Sequence, residues 1–395
     1  MKILIVNFVY WPDVDGGSQI STRLLAEKLA ENGHTVFVLT TDKKEYQSYH
    51  NGVYIYYLKI PSWFHYPTNL LTKIGRHLLN IYNPFLKRKI LDVLKTTAPD
   101  IIHTNCIQYF SSVIWELSNR LQIPVIHTVR DYYLICLHGM VNKNGRLCTS
   151  SCLACSICSA LRRNSARTVT TLVAISQYMM EKHCERHLFK TNINKFVIYN
   201  CAPDDLDQQN VKKSCRTIGF IGRICKEKGI ELLVSSFCNI QRNDIKLMIA
   251  GNGDMRYINT LKRQYPDPRI IWMGRIQQNE FYKEIDLLVV PSLWPEPFGR
   301  VVVEAIKANR PVLASNRGGM PEILRAIPFG AIFEIENPHS LQEKLENIII
   351  NPALYHSFFN IRKNMLPFDN SFISSQYEQI YHKTLKAFKE QRKSL

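Results

Sequence analysis

The feature that most constrains this chain is a repeated alternation of short apolar runs with amphipathic stretches. Lys2–Asn7, His34–Leu39, Ile101–His103, Val125–Thr128, Leu172–Ile175 and Phe196–Tyr199 are short and apolar. Stretches of helical period lie between them, such as Ser18–Glu31, with Ile20, Leu24, Leu25, Ala26 and Leu29 apolar and Gly33 where a helix would stop. Near-continuous apolar strands alternating with helices predict a parallel sheet covered on both faces. The pattern lapses in the polar stretch Pro203–Lys213, then restarts with Thr217–Ile221, Lys246–Ala250, Ile270–Met273, Leu287–Val290 and Pro311–Ala314. A chain of 395 residues is too long for one ordinary core. Two doubly wound α/β domains are expected, spanning 1–208 and 209–370, followed by a helical stretch within 371–395.

In open α/β sheets ligands gather where strands turn into helices. Three such turns carry glycine: Gly16-Gly17, Gly222-Arg223 with Lys228-Gly229, and Gly251-Asn252-Gly253. Glycine lets an anion approach the free N–H groups of a helix start. None of the three matches the dinucleotide fingerprint or the phosphate-binding loop ending in Gly-Lys-Ser/Thr. The second turn stands out, because Arg223 and Lys228 would neutralise the charge of a diphosphate leaving group.

The decisive segment runs from Pro291 to Ala305 and spaces Glu296 and Glu304 eight residues apart. Glu296 falls in the loop after an apolar strand, where a carboxylate can accept hydrogen bonds from sugar hydroxyls. Glu304 falls inside the next helix among Val301, Val302, Val303, Ala305 and Ile306, so it needs a partner.

This segment resembles the E-x7-E motif of the family-4 retaining glycosyltransferases. The resemblance runs along nearly the whole chain, through Gly16-Gly17, Pro99–His103, Val173–Ser176, Gly222-Arg223, Lys228-Gly229, Gly251–Gly253 and Gly318–Glu322. It implies the GT-B fold: two facing Rossmann-like domains, with a C-terminal helix that crosses back to the N-terminal domain. The N-terminal domain would take the acceptor and the C-terminal domain a UDP- or GDP-sugar donor. By the same resemblance, Arg223 and Lys228 hold the donor diphosphate and Glu296 contacts the transferred sugar. Phe298, Gly299 and Arg300 lie beside sugar and phosphate, and Glu304 binds the ribose. Gly222 belongs to the donor loop, Gly274, Arg275 and Ile276 lie beside the nucleobase, and Gly17 faces the phosphates. Where many relatives carry histidine after the strand at Val125–Val129, this chain has Arg130. Arginine cannot act as a base near neutral pH, so it is expected to donate hydrogen bonds to sugar or phosphate. Transfer is expected to retain anomeric configuration and to need no catalytic metal or other cofactor.

Cys136, Cys148, Cys152, Cys155 and Cys158 cluster and end in overlapping C-x2-C pairs, a spacing typical of zinc ligands. They resemble a cysteine-bearing insert in a subset of the same transferases. The matching set would be Cys136, Cys148, Cys155 and Cys158, holding a structural zinc.

The formal charge of +17 calls for an anionic partner or surface. No run reaches the length of a membrane span or reads as a signal peptide, so a cytoplasmic protein is expected. Leu71–Lys95 holds six Lys or Arg and one Asp, and Leu70, Leu71, Ile74, Leu78 and Ile81 would share a helix face. Such a segment can lie on the inner face of an anionic membrane, where a glycan or lipid-diphosphate-linked acceptor of surface polysaccharide synthesis would be met. A nucleotide-sugar epimerase or a phosphorylase could use the same architecture. A basic nucleic-acid-binding protein would explain the charge, but no zinc-finger histidine pair, helix-turn-helix signature or RNP strand is present, and no nucleic-acid partner is expected.

Overall fold

Short strands such as Ile101–Thr104 and Val125–Val129 are buried along their length, because a parallel sheet clad in helices leaves no wet face. The computed structural model describes residues 1–393, except 13–15, 66–67, 138, 140–141, 144–145, 149–151, 204, 338 and 362–363. Residue 204 of the polar link and 394–395 of the last helical stretch therefore lie outside the described residues. The chain forms two units: Met1–Val141, Cys148–Cys201 and Asp369–Leu395 make unit 1, and Asn142–Leu147 with Ala202–Phe368 make unit 2.

In chain order, unit 1 contributes β1 (Lys2–Val6), β2 (Thr35–Asp42), β3 (Tyr46–His50), β4 (Val53–Lys59), β5 (Ile101–Thr104) and β6 (Val125–Val129). After a small antiparallel ribbon, β7 (Asn142–Lys143) and β8 (Arg146–Leu147), it adds β9 (Thr171–Ala174) and β10 (Asn194–Val197). Its sheet has the order β10-β9-β6-β5-β1-β2-β4-β3 and is parallel except for β3, which pairs antiparallel with β4. Unit 2 contains β11 (Thr217–Ile221), β12 (Lys246–Ala250), β13 (Ile270–Gly274), β14 (Leu287–Val290), β15 (Val312–Ser315) and β16 (Gly330–Phe333). These form a parallel sheet in the order β13-β12-β11-β14-β15-β16. Strands β3, β4 and β16 extend the two sheets beyond the strands expected from apolar runs.

One core of unit 1 shows how the last segment is used. Ile3, Ile5, Val36, Val38, Val53 and Ile55 pack against Leu25 and Leu29 of the Gly17–Glu31 helix. Ile373, Tyr377, Ile380 and Tyr381 of the Asn370–Lys393 helix join the same cluster. The tyrosines also satisfy buried polar groups. The Tyr381 hydroxyl lies 2.8 Å from His103 Nδ1, Thr128 Oγ1 lies 2.7 Å from His103 Nε2, and the Tyr377 hydroxyl lies 3.2 Å from Thr128 Oγ1.

Among the described residues, unit 1 buries three histidines whose rings stay neutral. Burial, with Arg130 nearby, holds His103 well below the usual imidazole range. Burial brings His127 down to about 3 and His183 to about 4. The unfolded chain takes up these protons near pH 6.5 while the folded chain refuses them, so stability is full above that pH and falls as pH drops toward 4. Thermal midpoints measured from pH 7 to pH 4 should fall on the acid side, and His127→Gln should flatten that slope.

Candidate active site

In unit 2 the chain reverses its direction of growth between β11 and β14, which pair side by side through Ile218 with Leu287 and Gly219 with Leu288. The crevice at the carboxyl ends of two such strands is where ligands bind in open α/β sheets. The loop after β11 carries Gly222, Arg223 and Lys228, and the loop after β14 carries Ser292, Glu296 and Gly299. Backbone hydrogen bonds join the two loops: the Leu293 and Trp294 amides donate to Glu227 O at 3.0 and 3.1 Å.

Across this join Lys228 Nζ donates to Glu296 Oε1, and Ser292 Oγ donates to the same oxygen at 2.7 Å. Glu296 is only 8% exposed, so its charge is held by these donors rather than by water. Lys228 Nζ also sits 5.5 Å from the centroid of the Trp294 ring, within cation–π range. Arg223 is exposed and forms no ion pair among the described residues. The arrangement sets a fixed carboxylate and a cation side by side at the strand ends, with a second, exposed cation on the same loop.

Glu304 is buried in the Arg300–Lys307 helix. Arg300, one turn before it, donates to Glu304 Oε1 from Nε at 3.1 Å and from Nη2 at 2.5 Å. Gln278 Nε2 donates to Oε2 at 3.1 Å. Gln278 follows the turn of Gly274, Arg275 and Ile276, and Arg275 and Ile276 line a pocket of about 540 Å³ with Asp205 and Asn279. Phe298 is buried against Phe368, with ring centroids 6.2 Å apart, so its side chain belongs to the core of the unit.

The glycines serve close approach. A Cβ on Gly229 would lie 1.8 Å from Pro291 O, and one on Gly318 2.1 Å from Glu296 O. The Gly319 amide donates to that same Glu296 carbonyl at 2.8 Å. A Cβ on Gly251 would meet Gly222 O at 1.8 Å, and one on Gly253 would meet Ile224 O at 2.1 Å. The Gly251–Gly253 turn is therefore glycine-rich because it packs on the β11 loop. Gly299, at φ +98°, opens the Arg300–Lys307 helix.

Gly17 and Arg130 belong to unit 1. Gly17 begins its helix after β1, beside Ser18, whose Oγ is 3.0 Å from Cys106 Sγ. Arg130 follows β6 and is buried; its Nε donates to Asn105 Oδ1 at 2.7 Å and its Nη1 to Asn200 Oδ1.

Residues 202–365 match the family described as glycosyl transferases group 1, and residues 15–205 match glycosyltransferase family 4. An uncharacterized 42.6 kDa protein in the cps region of Klebsiella pneumoniae is 35% identical over 337 residues, covering 83% of this chain and 88% of its own. The chain is a family-4 glycosyltransferase. Its architecture is GT-B, as in sucrose-phosphate synthase from Thermosynechococcus elongatus (TM-score 0.75, 20% identity, 98% of this chain and 99% of that one). The Anabaena protein HepE, solved with UDP and glucose, is similar at TM-score 0.64 and 17% identity, covering 96% of this chain and 99% of its own.

Three residues of unit 2 carry contacts that the sequence did not single out. Ser292 and Trp294 flank the carboxylate–lysine pair, and Gln278 completes the bonds to Glu304. Ser292 lies four residues before Glu296 in the loop, a spacing that only the path of that loop turns into a contact.

Cys136, Cys155 and Cys158 are buried and Cys152 is exposed at the start of the Leu153–Ala166 helix. Among the described residues no three His, Cys, Asp or Glu side chains are grouped so as to hold a metal ion. Burial pushes the Cys155 thiol up to about 12, and the Leu137 amide donates to its sulfur at 3.3 Å. It is a protonated, packed thiol in this arrangement.

The loop join can be tested through its glycines. Gly229→Ala should lose more than the ~1–3 kcal/mol of left-handed strain, because it also drives a methyl group into Pro291 O. Gly274→Ala, at φ +68° with nothing within 4 Å of the added carbon, should show the strain alone. Urea unfolding midpoints of the two variants check the difference.

Proposed function

We propose that this glycosyltransferase moves a sugar from a UDP- or GDP-sugar to a glycan or lipid-linked oligosaccharide acceptor, in the assembly of a surface polysaccharide. The observation that carries the donor assignment is the Lys228–Glu296 pair at the carboxyl ends of β11 and β14. Lys228 and Arg223 oppose the charge that grows on the diphosphate as the anomeric C–O bond breaks. Glu296 positions the transferred sugar. Glu304, fixed by Arg300 and Gln278, meets the ribose, and the pocket at Arg275 and Ile276 takes the base. Backbone groups at Gly222, Phe298 and Gly299 line the path between them.

The reaction runs with retention. The acceptor oxygen bonds to the anomeric carbon on the face the diphosphate leaves, and its proton passes to the departing phosphate oxygen. With the cations of Lys228 and Arg223 on the leaving group, a catalytic metal ion has no task. In unit 1, the Gly17 amide and the Arg130 guanidinium are the groups that would donate hydrogen bonds to phosphate or sugar oxygens. The Klebsiella relative's place in a cps region supports the polysaccharide assignment, and the UDP and glucose of HepE support the donor class.

A thermal-shift screen against uridine, guanosine and adenosine diphosphates and their sugars should show one nucleotide raising the midpoint by mass action. Arg223→Ala and Lys228→Ala should abolish that shift, and Lys228→Ala should lower kcat/KM by about 10²-fold or more. Folded protein that no nucleotide stabilises would refute the donor site. NMR of the product should show the anomeric configuration of the donor, and turnover should survive EDTA.

A further inference from the structure

Two helices of unit 1 leave apolar stripes uncovered. Leu70, Leu71, Ile74 and Leu78 of the Leu70–Ile81 helix, and Leu153, Ile157 and Leu161 of the Leu153–Ala166 helix, are between 47% and 79% exposed. The two helices touch each other. Each stripe follows the i, i+4, i+8 spacing of one helix face, while the opposite side of the second helix buries Cys155, Cys158, Arg162 and Ala166. Seven large aliphatic side chains are thus exposed on two touching helices, an apolar surface that marks an interaction site.

The charges around the stripes identify what covers them. The first helix lies in a run from residue 46 to 91 with six Lys or Arg and no Asp or Glu. The second lies in a run from 132 to 180 with five Lys or Arg and again no Asp or Glu. Lys73 and Arg167 are exposed and Arg76 and Arg163 half-buried on or next to these helices. A protein partner or a second copy of this basic chain gives no reason to exclude acids from both runs. A negatively charged bilayer surface does, since each acid near it would be repelled. With 12 and 14 residues the helices are too short to cross a bilayer, which takes about 20. Among the described residues no helix is long and apolar enough to span. A helix of this kind lies in the plane of the interface, its apolar side chains among the acyl chains and its cations at the headgroups.

We propose that these two helices together form a docking surface for an anionic lipid bilayer. The cysteine-rich segment then has a use apart from metal binding: its packed thiols seat the second helix so that Leu153, Ile157 and Leu161 face outward. The proposal is independent of the donor assignment.

Flotation of the full chain with vesicles of phosphatidylcholine, with and without phosphatidylglycerol, tests it. The wild type should float only with the anionic vesicles, and less as salt rises. Leu71→Glu with Leu78→Glu, and separately Ile157→Glu with Leu161→Glu, should each lower the bound-to-free ratio by about tenfold or more. All substituted sites are exposed, and unchanged thermal midpoints with an unchanged nucleotide-induced shift would show that both units remain folded. A wild type that stays at the bottom overturns the proposal. Loss of binding in the first pair alone overturns the two-helix surface. A dimer in light scattering that either pair of substitutions dissolves would assign the patch to a second copy instead.

Discussion

The second unit depends on a backbone join. Glu227 O accepts from two successive amides of the β14 loop, and Gly229 lets Pro291 O approach where any side chain would block it. These contacts involve no ligand-binding side chain, yet they decide where such side chains stand. Lys228 lies between Glu227 and Gly229, so it is carried toward Glu296 by the main chain on both sides of it. On the far side, Gly318 and Gly319 press on the Glu296 backbone, with the Gly319 amide bonded to its carbonyl. The carboxylate is thus positioned from three loops, those after β11, β14 and β15, before any substrate arrives. Catalysis through fixed charges requires that order of events, since groups that must reorganise during the reaction lose much of their effect.

The two motif acids, eight residues apart, are held in different ways. Glu296 takes its donors from other parts of the unit, a lysine one loop away and a serine of its own loop. Glu304 takes one partner from its own helix and another from the segment after β13. A spacing that looks like a repeat of one residue type therefore encodes two independent tethers.

The strands of both sheets were legible because parallel strands buried on both faces are apolar throughout. Val53–Lys59 was not, since Tyr54 is 47% exposed and the run mixes inward and outward aromatics next to the edge strand of the sheet. Its partner Tyr46–His50 is largely polar, and Gly330–Phe333 is too short to carry a period. At the site, Arg223, Lys228, Glu296 and Glu304 could be named from spacing, because charge beside glycine at strand ends is visible in one dimension. Ser292, Trp294 and Gln278 could not, because their contacts arise from loop paths. The cysteine spacing is visible in the sequence, but which sulfurs a helix turns inward is not: Cys155 and Cys158 are buried, whereas Cys152 is exposed.

The Asn370–Lys393 helix belongs to the unit that begins at Met1, although all of unit 2 from Ala202 to Phe368 is threaded between them. During synthesis the first sheet leaves the ribosome lacking Ile373, Tyr377, Ile380 and Tyr381, and with His103 unpaired at the nitrogen that Tyr381 will meet. Unit 2, whose main segment is continuous, can finish first. The nascent N-terminal sheet is then an unfinished surface for as long as translation takes to traverse the other unit, and the chain's last helix is the closing step of its first domain.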